Sequence, residues 1–142
     1  MAKAPVVVRP MTVGPASAAR KTLRGGRAHA AGTQAEDSAA AALVAEGWQV
    51  LARRARTPAG ELDLIAERDG LLAFIEVKAR PSLGEAAFAL APRQRARLLA
   101  GAECWLAKNP GHGSVGMRFD VLLVAADGTM RRIADAFRIG DA

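Results

Sequence analysis

Two apolar runs, residues 60–68 and 71–79, bring four charged side chains towards each other: Glu61 and Asp63 on the first, Glu76 and Lys78 on the second. Between them stands Asp69-Gly70, the pair that a two-residue type I′ hairpin favours. With that turn, Arg68 faces Leu71, and counting outward places Asp63 opposite Glu76 and Glu61 opposite Lys78. Because side chains alternate, Leu62, Leu64, Ile75 and Val77 share one face and the four charges gather on the other. Two directly opposed carboxylates, with Cβ atoms about 5 Å apart, repel each other. A divalent cation reverses that sign. Mg²⁺ takes one or two carboxylates, with water and phosphate oxygens completing its shell, so Asp63 and Glu76 form a two-ligand set for Mg²⁺ or Mn²⁺. Lys78, two residues past Glu76 on the same face, could hold or deprotonate an attacking water and stabilise negative charge on phosphorus. The competing explanation is a solvated face on which Glu61 and Lys78 make an exposed salt bridge of small worth. Phe74, opposite Ile65 on the charged side, argues that part of this face lies against another element.

The elements that must position these residues follow from the rest of the chain. Thr33 to Glu46 is Ala-rich with Gly47 as a natural C′ residue, which predicts a helix. Trp48 to Arg54 alternates loosely as a first strand, ahead of the hairpin. Pro92 to Lys108, with proline where a first helical turn tolerates it, predicts a second long helix. Arg118–Ala125 and Met130–Phe137, joined around Asp127-Gly128, predict a second hairpin. The order α-β-β-β-α-β-β points to an α/β fold of the α+β sandwich kind.

The chain has 142 residues, 51% hydrophobic and 24% charged, which suits one domain with a real core. No apolar run reaches the ~18 residues of a membrane span. With Cys104 alone, neither an intramolecular disulfide nor a cysteine zinc site can form, and a cytoplasmic location is expected. The formal charge is +6. All of it is assignable to residues 1–27, where Lys3, Arg9, Arg20, Lys21, Arg24 and Arg27 stand without an acidic residue. Residues 1–31, rich in Pro and Gly, are therefore expected to be a disordered basic tail, and residues 32–142 the folded domain. The folded part is neutral overall, so the high pI says nothing by itself about nucleic acid.

Three blocks, Gly60-Glu61-Leu62-Asp63-Leu64-Ile65, Ile75-Glu76-Val77-Lys78-Ala79-Arg80 and Arg118-Phe119-Asp120-Val121, resemble the YraN family of small bacterial proteins. That family is similar to Holliday-junction resolvases within the PD-(D/E)XK nuclease superfamily. The resemblance implies a restriction-endonuclease-like fold with a mixed central sheet, Asp63 and Glu76 as metal ligands and Lys78 as the catalytic lysine. It also matches Glu36 to an acidic residue that the superfamily adds at or behind the metal, and Gln94 to a polar catalytic position. Thr33 and Glu36 equally have capping-box spacing, in which Glu36 returns to its own helix start. Gln94 equally suits an ordinary first-turn position. Where relatives carry Asn before the Gly-Glu-Leu-Asp block, this chain has Arg54.

Arg54 and Arg56 before the first charged strand, Arg80 after Lys78, and Arg93 and Arg97 on the second helix could hold a phosphate backbone, although alternating arginines on a helix are commonly a solvated face. Aromatics make up only 4% and there is no Tyr, which favours duplex or branched DNA over a single-strand stacking platform. His29 and His112 form no zinc motif. Asp120 either pairs with Arg118 or supports the site. Two functions are expected to compete: a Mg²⁺-dependent endonuclease acting on DNA, in which a homodimer would cut two strands, and a non-catalytic nucleic-acid-binding adaptor with the nuclease fold.

Overall fold

Asp69 and Gly70 both adopt positive φ, 52° and 80°, as the type I′ turn requires. From that turn the hairpin keeps the expected register, from Arg68 with Leu71 to Leu64 with Ile75. The computed structural model describes residues 7–11, 27–84 and 90–137. Its elements are β1 (Val7–Met11), α1 (Arg27–Ala45), β2 (Gln49–Thr57), β3 (Gly60–Arg68), β4 (Leu71–Arg80), α2 (Pro92–Lys108), β5 (Gly116–Ala125) and β6 (Met130–Phe137). From α1 onward this is the expected α-β-β-β-α-β-β order.

The six strands form one sheet in the order β1-β6-β5-β4-β3-β2. Crossing through α2 brings β5 parallel to β4, paired from Leu71 with Gly116 to Arg80 with Ala125. The other neighbouring pairs are antiparallel, so the sheet is mixed. β4 and β5 are buried on both faces, which explains their unbroken apolar runs, Leu71-Leu72-Ala73-Phe74-Ile75 and Val121-Leu122-Leu123-Val124-Ala125. On one face Ala35, Ala39 and Leu43 of α1, with Trp48, cover Leu64, Ile75 and Leu122. On the other, Leu98 and Ala102 of α2 cover Ile65, Phe74, Phe119 and Val121. Phe74 stacks on Phe119 at 5.5 Å and meets Trp105 edge-on at 6.1 Å. Each such burial contributes about 1.5–3 kcal/mol. Ile65, Phe74 and Glu76 of the hairpin therefore lie beneath α2, as the Phe74–Ile65 pair suggested.

The fold differs from the sequence expectation in three places. α1 starts at Arg27, so His29 is helical, and Thr33 and Glu36 stand inside the helix. The capping-box explanation of Glu36 falls with it, because backbone N–H groups at that depth already bond within the helix. Inside the segment expected to be a disordered tail, Val7–Met11 pairs antiparallel with Met130–Ala134 of β6. Its valines suit a strand and it covers an edge that β6 would otherwise expose; residues 1–6 and 12–26 lie outside the described residues. Finally, Leu62 belongs to the α2-side cluster while Leu64 faces α1, so the simple alternation slips at Asp63, between them.

Candidate active site

Beyond Leu64 and Ile75 the β3–β4 ladder stops, while β4 stays paired with β5 to Arg80 and β3 with β2 to Gly60. Direct pairing of Asp63 with Glu76, and of Glu61 with Lys78, is thus not made. A turn fixes register near itself; farther out, strands held by different neighbours in a twisted sheet are drawn apart. Asp63 stands where they part. Its Oδ2 accepts a hydrogen bond from the Val77 N–H at 2.9 Å, occupying the place of a ladder carbonyl.

Glu76 is buried, 5% exposed, and the Lys78 ammonium lies 2.9 Å from its Oε2. The Arg97 guanidinium, from α2, approaches the same oxygen at 3.8 Å. Arg97 reaches it by laying its stem over Gly60: a Cβ there would sit 3.0 Å from Arg97 Cδ and 3.2 Å from Cγ, at a φ of 133°. Gly60→Ala is expected to cost about 1–2 kcal/mol through backbone strain and displacement of Arg97. Adding Arg97→Ala should recover part of that loss, because the crowded stem is gone; chemical denaturation of the single and double variants checks this.

On the far side of Asp63, α1 presents Glu36. Its Oε1 accepts from Arg54 Nε at 2.6 Å, and Arg54 NH2 donates to Thr33 Oγ1, also at 2.6 Å. Beside this pair Arg53 bridges to Asp37. Arg54 is placed by an unusual backbone: at φ 50° it is one of two described non-glycine residues in the left-handed region.

The electrostatics bind these residues into one site. Burial, then the charge of Glu76, raise the Asp63 pKa from 3.8 to about 7; the Val77 N–H opposes them, Glu36 adds to the rise and Lys78 counters it. Asp63 is therefore short of positive charge. Among the described residues no group of three or more His, Cys, Asp and Glu side chains is arranged to hold a metal ion. Glu36 is tied to Arg54, and the donor set stands at two carboxylates. Two hard oxygen donors of this kind suit Mg²⁺ or Mn²⁺, and the raised Asp63 pKa marks the charge deficit that a divalent cation would relieve.

The other candidates separate. Gln94 Oε1 accepts from the Ala91 N–H at 3.1 Å, so its carbonyl end caps its own helix. Arg56 is 91% exposed and only 3.9 Å from Glu61, and Arg80 and Arg93 are exposed. Asp120 belongs to a different cluster: its Oδ2 accepts from Arg118 and from Arg132. His112 meets Glu67 at 2.9 Å and anchors the loop before β5; Cys104 is half-buried. Nothing in the sequence marks Thr33 as a partner for Arg54, since the two are 21 positions apart and meet only through packing of α1.

Mixed sheet, one helix on each face and an acidic pair with lysine at the parting of β3 and β4 define a restriction-endonuclease-like α/β protein. Residues 35–124 match the uncharacterised protein family UPF0102, the YraN family, and the chain belongs to it. A UPF0102 protein of Granulibacter bethesdensis is 57% identical over 122 residues, 86% of this chain and 77% of the relative. One from Azorhizobium caulinodans is 53% identical over 112 residues, 79% and 86% of the two chains. One from Rhodopseudomonas palustris strain BisB5 is 50% identical over 106 residues, 75% and 81%. Among the described residues no helix is long and apolar enough to cross a membrane.

Proposed function

We propose that this protein is a divalent-metal-dependent endonuclease hydrolysing phosphodiester bonds in DNA, with branched or damaged duplexes as its substrates. What carries the reading is the convergence of Asp63, Glu76 and Lys78 where β3 and β4 part. Asp63 and Glu76 would hold Mg²⁺ or Mn²⁺, which when bound supplies Lewis acidity and a more acidic water. Lys78, held at Glu76, places its ammonium to stabilise charge developing on the phosphoryl oxygens. Arg97 adds a second cation from above. Exposed Arg56, Arg80 and Arg93 supply sequence-independent phosphate contacts. A homodimer would present two such sites to two strands.

One observation favours the adaptor alternative: Arg54, Lys78 and Arg97 already neutralise Glu36 and Glu76 without a metal. A cleavage panel of linear, nicked, flapped and four-way DNA with Mg²⁺ and Mn²⁺ decides between them. The nuclease should cut at least one substrate, and Asp63→Ala and Lys78→Ala should each lower the rate by about 100-fold or more. Tight DNA binding without cutting of any substrate would establish the adaptor instead.

A further inference from the structure

Arg54 lies on β2 between the pairs Arg53–Leu64 and Ala55–Leu62, and so directly across from Asp63. Its left-handed φ of 50° costs a branched or long side chain about 1 kcal/mol, and Asn or Gly adopts that region more readily. The conformation is held by a planar fork: Nε on Glu36 and NH2 on Thr33, both at 2.6 Å. Lysine, with a single ammonium, cannot make that pair of contacts in one plane. Glu36 is only 14% exposed, so Arg54 is what neutralises a largely buried carboxylate.

We propose that Arg54 is a positioning residue that withholds Glu36 from the metal set, keeping the site at two carboxylates, Asp63 and Glu76. The proposal rests on the reading that those two bind a divalent cation. Glu36 is held by the residue that stands across from Asp63, and its charge is felt there, so a Glu36 released from Arg54 adds an uncompensated carboxylate charge to the same site. Hard cations bind more tightly as carboxylate charge accumulates around them. Arg54 thereby sets metal affinity without touching the metal.

Calorimetric titration of the full chain with Mn²⁺ alone tests this. Arg54→Asn, which suits the backbone, should bind Mn²⁺ about tenfold more tightly than the wild type. Adding Glu36→Gln to Arg54→Asn should abolish the gain, and Arg54→Lys should fall between the two. An Arg54→Asn affinity equal to the wild type's, or a gain that survives Glu36→Gln, overturns the role of Arg54. Asp63→Asn keeps the two failures apart. If the wild type binds Mn²⁺, Asp63→Asn does not, and Arg54→Asn matches the wild type, only the Arg54 proposal falls. If no variant binds Mn²⁺, the metal reading falls and takes this one with it.

Discussion

Asp63→Asn is expected to raise the stability of the metal-free protein at pH 8 by on the order of 2–4 kcal/mol, and to change it little near pH 3.5. In the folded protein burial and Glu76 keep the Asp63 carboxyl protonated up to about pH 7, whereas its ordinary pKa is 3.8. Between those two values the folded chain holds a proton that the unfolded chain has released. Stability contributed at this position therefore falls as pH rises from about 4 to 7, and the penalty is complete above 7. An Asn side chain can still accept from the Val77 N–H and carries no charge to bury. Urea denaturation of both proteins from pH 3.5 to 8.5 measures the difference; curves that stay parallel would show that Asp63 ionises freely. A bound cation inverts the comparison. At saturating Mg²⁺ above pH 7 the wild type should gain about 2.7 kcal/mol at one hundred times Kd, and Asp63→Asn should gain nothing, because the ligand must be ionised.

Such a cost is retained at a position that the hairpin pattern already marks. The Asp69-Gly70 turn fixes five facing pairs, and the α2 boundaries follow from Pro92 and the apolar spacing to Lys108. Periodicity speaks for what a residue does within its own element. It is silent on where two strands part, because that depends on β2 and β5 pulling in different directions. Hence the hairpin pattern brings Asp63 and Glu76 to neighbouring strands, but neither the loss of their facing register nor the Asp63–Val77 bond is legible in it. The same limit hid the left-handed Arg54: nothing in Arg53-Arg54-Ala55-Arg56 announces a positive φ, which arises from the meeting of β2 with α1. Arg97 was legible as a cation but not as a partner for Glu76, since its path depends on the missing side chain of Gly60. The start of α1 is not legible either, because Arg27-Ala28-His29-Ala30-Ala31-Gly32 offers no apolar stripe and no side-chain cap before it.

Asp120→Ala, by contrast, should destabilise the fold by about 3–5 kcal/mol while leaving the Mn²⁺ binding proposed for Asp63 and Glu76 unchanged in the folded protein. Asp120 lies in the Arg118-Phe119-Asp120 block that resembles the nuclease family, and sequence alone left open whether it serves the site or the structure. The geometry decides for structure. Asp120 is fully buried and its Oδ2 accepts from Arg132 NH2 at 3.0 Å and Arg132 Nε at 3.2 Å, with Arg118 NH2 at 3.1 Å. Arg132 is 1% exposed, and burial pulls its pKa down against the support of Asp120. Its remaining partner is Glu46 at 3.1 Å, and its guanidinium lies 5.0 Å from the centre of the Trp48 ring. Arg132 shares the α1 face of the sheet with Leu122, its register partner, whereas Glu76 pairs with Val121 on the α2 face. Removing Asp120 leaves Arg118 and Arg132 beside Trp48, where Arg68 also lies, with the partly exposed Glu46 carboxylate on Arg132. That is a large share of the 5–15 kcal/mol by which a domain of this kind is stable. Replacing both members, Asp120→Leu with Arg132→Met, should return part of the loss, because the buried guanidinium leaves with its carboxylate and the charges that lose a partner, Arg118 and Glu46, are the more exposed ones. Guanidinium denaturation with a constant m-value measures each step, and Mn²⁺ titration below the unfolding transition supplies the second readout. A loss of Mn²⁺ affinity in folded Asp120→Ala would transfer Asp120 to the active site. Unchanged affinity with a lowered midpoint would show that the third family-like block is written for the core, and that the chemistry rests on the first two.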